Sequence, residues 1–322
     1  MLKILLPTYN GEKYVAELID SLLAQTYRDF KLYIQDDKST DGTLYIVTKY
    51  AMENPDRVIA YQNEENTGGA KHNFLKMMIE YKDDYIMLCD QDDLWLPDKI
   101  EKSLRKMKEM ESAHGASTPL LVHTDLKVVD DNLKVIRSSY RRMANTSYKF
   151  TALNNLVTMN VATGCTIIYN RALANLFTAE PESFVMHDWW VALTATAFGK
   201  IGSIRDRTVL YRQHTNNEVG AKKVRSVRYV RYVLTHIDIM AGKLYNSYRQ
   251  AGSFLKMYDE RLSDEQKELL AAHASMPELT KRGKLRLIFK YKTFLCGTAR
   301  KIAQVIVLLS SGKEPKEPKG VT

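Results

Sequence analysis

Three carboxylates within four residues, Asp90-Gln91-Asp92-Asp93, follow directly on the apolar run Tyr85 to Leu88. Like charges this close repel one another unless a cation or strong donors offset them. Hard oxygen ligands on a short loop suit Mg²⁺ or Mn²⁺, ions that keep some sites for water and phosphate oxygens. Read in isolation, the same residues are an acidic turn capping the helix that begins near Pro97. Their position at a strand end, beside other acidic loops, favours the metal reading. A second group, Asp36-Asp37-Lys-Ser-Thr-Asp41-Gly-Thr43, also ends a strand. Ser39, Thr40 and Asp41 read as caps of the next helix, while the adjacent acids suit acceptance from a base N–H or a ribose hydroxyl. A third, Met186-His187-Asp188-Trp189-Trp190, sets a carboxylate between a histidine and two indoles. It serves equally as a helix cap or as a base whose pKa partial burial raises. The fourth, Tyr211-Arg-Gln-His214, offers a loop histidine to a metal, to a diphosphate or to its own loop.

The elements that must position these groups alternate. Lys3 to Leu6 reads as a strand that breaks at Pro7, and Tyr14, Leu18, Leu22 and Leu23 follow near helical spacing. Phe30 to Ile34 is a second strand and Leu44 to Tyr50 a second helix. Val58 to Tyr61, His72 to Glu80 and Tyr85 to Leu88 continue the alternation. Strands separated by helices of this size predict right-handed βαβ units and a parallel sheet, with ligands beyond the carboxyl ends of the strands. Further on, Leu121 to Val129 and Val135 to Arg137 flank an Asp130-Asp131-Asn132 turn. Ala162 to Tyr169 and Val209 to Tyr211 read as strands around a helix from Trp189 to Phe198, and the chain is helical from Ser226.

Composition sets the frame. The chain has 322 residues, 45% hydrophobic and 26% charged, enough to bury a core without disulfide or metal staples. Cys89, Cys165 and Cys296 are odd in number and widely spaced, which argues against a disulfide framework and suits a reducing compartment. Met1 to Tyr9 lacks the features of a signal peptide, and no apolar run reaches the roughly 18 residues that span a bilayer. The expected location is cytoplasmic. The net charge of +9 is unevenly spread: residues 221 to 322 hold 21 basic and 9 acidic side chains, the first 220 hold 26 and 29. A basic last third implies an anionic partner for that part of the chain.

Taken together, the motifs resemble family 2 glycosyltransferases with the GT-A fold, a Rossmann-like mixed sheet flanked by helices. Pro7-Thr8-Tyr9-Asn10-Gly11 resembles the family's opening loop and Asp36 to Thr43 its nucleoside-binding loop. Asp90 to Trp95 resembles its DxD metal motif in the form found in rhamnosyltransferases, and His187 to Trp190 its base motif. The resemblance implies an inverting, metal-dependent transferase related to bacterial enzymes that extend rhamnose-containing wall polysaccharides. Its donor would be dTDP-L-rhamnose, held by Pro7, Thr8, Tyr9, Asn10, Asp36, Asp37, Asp90, Gln91 and Asp92. Mn²⁺ or Mg²⁺ would sit on Asp90, Asp92 and Asp93, with His214 a further ligand or diphosphate contact. Asp188 would be the base, and Gly164, Cys165, His187, Trp189 and Trp190 would face the acceptor. The α/β domain would span residues 1–220, a helical basic region 221–310 and a disordered tail 311–322.

By the same resemblance the acceptor is a saccharide on a polyprenyl diphosphate, and the basic region fits the anionic inner face of the cell membrane. Lys281 to Lys292 mixes cations with Leu, Ile and Phe, and Phe294 to Leu309 continues an apolar face beside Arg300 and Lys301. This reads as an interfacial amphipathic helix, or else as a helix packed on the rest of the protein with its cations solvated. A homodimer through these helices is compatible with the pattern; nucleic acid is not expected, since no recognised binding motif is present. Two alternatives stay open at this level: a UDP-hexose donor in the same site, and a Mg²⁺-dependent nucleotidyltransferase, which would also need carboxylates at strand ends.

Overall fold

A computed structural model describes residues 1–213 and 227–310. The chain divides into two compact units. The first comprises Met1–Tyr140, Ala162–Glu180 and Gly199–Ala221; the second comprises Arg141–Val161, Pro181–Phe198 and Lys222–Thr322. The span 1–220, read from sequence as one domain, therefore contributes to both.

The first unit is built on a nine-stranded mixed sheet. Its strands are β1 (Leu2–Thr8), β2 (Phe30–Asp36), β3 (Val58–Gln62), β4 (Tyr85–Leu88), β5 (Leu94–Trp95), β6 (Leu120–Val129), β7 (Val135–Arg137), β8 (Ile167–Asn170) and β9 (Lys200–Arg212). The helices α1 (Val15–Leu23), α2 (Thr43–Glu53), α3 (Ala70–Glu80) and α4 (Lys99–His114) pack with them, as does the single helical turn Arg171–Ala174. The order is β3-β2-β1-β4-β8-β6-β9-β5, with β7 on β6. The β3-β2-β1-β4 half is parallel, as the alternation of strands and helices predicts. Beyond it β8 runs antiparallel to both β4 and β6. Both faces of the parallel half are covered, so its strands are continuous apolar runs rather than alternating ones. Ile4, Leu5, Leu6, Leu32, Ile34 and Leu88 are all fully buried, as are Leu18, Ile19 and Leu22 of α1 and Phe74, Met77 and Met78 of α3, the helix that packs on β1.

Three expectations are corrected here. Pro7 does not end β1: it pairs with Gln35 of β2, while the pairing of β1 with β4 stops at Leu5. Pro7 thus stands where β4 makes no demand on its missing N–H. Ala162 to Tyr169 is not one strand; a 3₁₀ turn, Gly164–Thr166, precedes the short β8. Val209 to Tyr211 is only the end of β9, a 13-residue strand parallel to β6.

The second unit is helical among the described residues. It holds α5 (His187–Phe198), α6 (Val227–Thr235), α7 (Ile237–Tyr258), α8 (Asp264–Ala274), α9 (Lys281–Tyr291) and α10 (Thr298–Ser310). Trp190 of α5 is buried edge-on against Phe254 of α7, ring centroids 5.2 Å apart, and Phe198 stacks on the same phenyl ring. This aromatic packing is why residues 181–198 belong with the helices and not with the sheet. A capping box, Ser263 with Gln266, starts α8. No helix among the described residues is long and apolar enough to cross a membrane. The segment 311–322, read as a disordered tail, lies outside the described residues.

Candidate active site

Register brings the strand-end residues together. Thr8, Asp36 and Gln62 lie side by side across β1, β2 and β3. Asp36 is fully buried and accepts from Thr8 Oγ1 at 3.2 Å, from Ser39 Oγ at 2.5 Å and N–H at 3.0 Å, and from Gln62 Nε2 at 3.2 Å. Asp37 is also buried; it accepts from Asn63 Nδ2 at 2.7 Å and from the N–H and hydroxyl of Thr67 at 2.9 and 2.7 Å. A carboxylate offers about four lone-pair sites, so Asp36 is saturated and Asp37 keeps one. The caps expected downstream differ in detail. Gly42 is the N-cap of α2, and Asp41 accepts instead from the N–H and hydroxyl of Thr43, bonds that help lower its pKa.

The opening loop is laced to this segment. Asn10, with φ at +46°, accepts from the Thr40 N–H at 2.8 Å and donates its own N–H to Ser39 Oγ at 3.0 Å. The Gly11 N–H reaches Thr43 Oγ1 at 2.7 Å, and Glu12 accepts from the Gly42 N–H at 2.6 Å. From the other side Gln91 takes both polar groups of Tyr9: the Tyr9 N–H donates to Oε1 and Nε2 donates to the Tyr9 carbonyl, each at 2.9 Å. A Cβ on Gly11 would lie 2.4 Å from Gln91 Oε1, so this approach requires glycine. Tyr9 itself leaves its ring half exposed.

The acidic loop is anchored where β5 meets β9. Leu94 opposes Leu210 and Trp95 opposes Val209, which sets Asp93 beside Arg212, whose N–H donates to Asp93 Oδ1 at 3.2 Å. The other oxygen of Asp93 is buried and has no hydrogen-bond partner. Oxygens of Asp90 and Asp93 and the sulfur of Cys165 all lie within 4.8 Å of one another. Burial, then the charges of Asp92 and Asp90, hold Asp93 protonated well above the ordinary carboxylate range. Burial raises the Cys165 thiol, so it stays a thiol rather than a thiolate ligand. Lys99 is fully buried nearby, its ammonium 4.4 Å from the centroid of the Trp95 ring, and burial pushes it down to about 8. An orphaned carboxylate oxygen with a second carboxylate beside it fits a hard divalent cation. Of the expected ligands, Asp90 and Asp93 converge and Asp92 stands outside that trio. His214 lies outside the described residues.

Sequence reasoning passed over Arg212. Its side chain is buried and donates to the Asp92 carbonyl at 3.0 Å and the Asp131 carbonyl at 2.8 Å; it also pairs with Glu17 of α1 and lies 4.7 Å over the Tyr14 ring. The planar fork thus ties the acidic loop to α1 and to the turn between β6 and β7. The signal in the sequence was Arg directly after an apolar strand, which gives no hint of these partners.

In the second unit, Asp188 lies in the first turn of α5 and is partly buried, as is Trp189, whose indole N–H donates to the Leu156 carbonyl at 2.5 Å. His187 and Trp190 are buried, and burial pushes His187 down to about 3, so it is neutral. Gly164 and Cys165 are buried in the 3₁₀ turn of the first unit.

Comparison with known proteins shows the family of the chain. The family profile "Glycosyl transferase family 2" matches residues 3–176, from β1 through the 3₁₀ turn and β8. The chain is 28% identical over 228 residues to the dTDP-rhamnosyl transferase RfbG of Shigella flexneri, covering 70% of this chain and 76% of that one. It is 25% identical over 184 residues to WfgD of Escherichia coli, named as a UDP-Glc:alpha-D-GlcNAc-diphosphoundecaprenol beta-1,3-glucosyltransferase, covering 55% and 63%. Its fold is similar to S. aureus TarS 1-349, solved in complex with UDP-GlcNAc, with TM-score 0.56 at 18% identity over 96% of this chain and 89% of that one. Family membership sets aside the nucleotidyltransferase alternative. With a family profile covering more than half its length on a GT-A sheet, the chain belongs to glycosyltransferase family 2.

Proposed function

We propose that the protein is an inverting, divalent-metal-dependent rhamnosyltransferase, moving L-rhamnose from dTDP-L-rhamnose to a hydroxyl of a lipid-linked saccharide in wall or capsular polysaccharide synthesis. The observation that carries the metal-dependent part is the buried, unpartnered oxygen of Asp93 converging with Asp90 at the carboxyl ends of the strands. The rhamnose donor is supported by the likeness to RfbG, and the lipid-linked acceptor by the diphosphoundecaprenol-linked sugar in the name of WfgD.

In this reading the opening loop and the Asp36–Thr43 loop form the nucleoside side of the site. Asp37, with one lone-pair site left, is the acid that meets the base or ribose, while Asp36 holds the loop in shape. Tyr9 offers an exposed ring face to the base. Asp90 and Asp93, with Asp92 as a further contact, would hold Mn²⁺ or Mg²⁺. Bound there, the ion supplies positive charge to the diphosphate as it leaves. Asp188 accepts the proton of the acceptor hydroxyl as that oxygen bonds to the anomeric carbon and the bond to the diphosphate oxygen breaks. One displacement inverts the carbon, and no nucleophile of the protein is required.

A second reading keeps the fold and mechanism with a UDP-hexose donor, which the UDP-Glc named for WfgD and the UDP-GlcNAc bound to TarS favour. Calorimetric titration with dTDP-rhamnose, UDP-glucose, UDP-galactose and UDP-GlcNAc, each with and without Mn²⁺, separates the two. Selective, Mn²⁺-dependent binding of dTDP-rhamnose is expected. Preference for a UDP-sugar would discard the rhamnosyl assignment, and binding indifferent to Mn²⁺ would discard the metal role.

A further inference from the structure

Residues 281–310, which contain α9 and α10, hold eight cations and no carboxylate. On α9 the positions Arg282, Arg286 and Phe289 fall at i, i+4 and i+7, one face of a helix, and all three are exposed. Phe289 is 64% exposed, a large apolar ring among cations. Its ring meets Phe294 edge-on at 5.2 Å, and the Lys301 ammonium lies 5.7 Å from the Phe294 ring. From Lys301 an apolar stripe runs along α10. Ile302 is 49% and Leu309 43% exposed, with Val305 and Ile306 partly exposed between them. The opposite faces are the ones in the core of the unit: Ile288, Ala303, Val307 and Leu308 are buried together. The outward faces of α9 and α10 therefore join cations to apolar side chains in one continuous patch.

We propose that this patch is a docking surface for an anionic bilayer, with Phe289 and Ile302 entering the interface while Arg282, Arg286 and Lys301 meet lipid phosphates. Charge decides among occupants. A second copy packed face to face would set cations against cations in an isologous contact. An anionic lipid surface complements them and accepts the exposed rings and aliphatic chains as well. The inference deepens the reading of a lipid-linked acceptor and rests on it for its purpose, although the binding itself needs no nucleotide sugar.

The test is co-sedimentation of the full chain with phosphatidylcholine vesicles, with and without phosphatidylglycerol, in the absence of any donor. Binding is expected only to the anionic vesicles and should fall as salt rises. Each cation near anionic lipid contributes about fivefold in affinity, so Arg282→Gln/Arg286→Gln should weaken binding about thirtyfold. Phe289→Ser should weaken it as well. All three sites are exposed, so the variants should keep the wild-type melting temperature, and transfer to a water-soluble acceptor should be unchanged. Equal binding to neutral and anionic vesicles, or full binding by the double variant, would overturn the proposal. So would a concentration-dependent dimer that Phe289→Ser dissolves. A wrong donor assignment would leave vesicle binding intact and abolish only transfer, which keeps the two failures apart.

Discussion

Gln91 holds Tyr9 by both of its backbone groups, with two hydrogen bonds of 2.9 Å that a strand neighbour would otherwise make. A residue of the acidic loop thereby sets the shape of the opening loop, so the diphosphate and nucleoside sides of the proposed donor site are one mechanical piece. Gln91→Ala removes both bonds, worth about 1 kcal/mol each, and donor affinity should fall by about tenfold or more. Gly11→Ala forces the same amide away. Titration of the single and double variants should show losses that do not add.

Arg212 is the second such tie. Arg212→Met leaves the Asp92 and Asp131 carbonyls without their donor, at about 1–3 kcal/mol of stability. Arg212→Lys should recover only part of this, because an ammonium cannot span two carbonyls and Glu17 as the planar guanidinium does. Urea unfolding measures the stability loss. Donor titration should show weaker binding in both variants, and unchanged affinity in Arg212→Met would restrict the residue to a packing role.

Asp93 makes the metal-free protein sensitive to pH. Its pKa is raised in the folded state, so its contribution to stability is present below the unfolded carboxyl value and lost as pH rises through the folded value. Asp93→Asn should therefore raise the melting temperature at neutral pH without metal. Mn²⁺ should raise that of the wild type and leave the variant unmoved. A wild-type protein indifferent to Mn²⁺ would remove Asp93 from the ligand set.

Asp188→Asn keeps the shape of the first turn of α5 and removes the carboxylate proposed as the base. Turnover should drop about 10²–10⁴-fold with donor affinity retained. Wild-type turnover in single-turnover assays would end the assignment.

Acid should unfold the second unit through its buried histidines. Burial lowers His273, whose ring nitrogen lies 3.2 Å from Ser247 Oγ, to about 3, as it does His187. Below pH 6.5 the unfolded chain takes up these protons while the folded chain does not, so stability is intact above 6.5 and falls as pH drops toward 3. The slope is about 1.4 kcal/mol per pH unit for each histidine. His273→Gln should halve the loss these two residues cause between pH 6.5 and 4.5 in urea midpoints.

Much of the first unit was legible because local patterns report local structure. Apolar runs ending in paired acids mark strand ends, β1 to β4 and α1 to α3 lie close to where periodicity places them, and α4 starts close to the helix start read near Pro97. The order of motifs over about residues 1–220 indicated the family whose profile matches residues 3–176. What the sequence left open depends on register and on contacts between residues far apart in the chain. Only the pairing of β5 with β9 brings Arg212 to Asp93, 119 positions away. The saturation of Asp36 and the remaining capacity of Asp37 follow from partners on β1, β3 and the loop before α3. Cys165 joins the acidic pair because a 3₁₀ turn replaces an expected strand. Trp190 draws its helix into the second unit through Phe254, a contact that no spacing along the chain announces. Side-chain period is a property of a few residues at a time, whereas the site is assembled by tertiary contacts between strands and loops far apart in the chain.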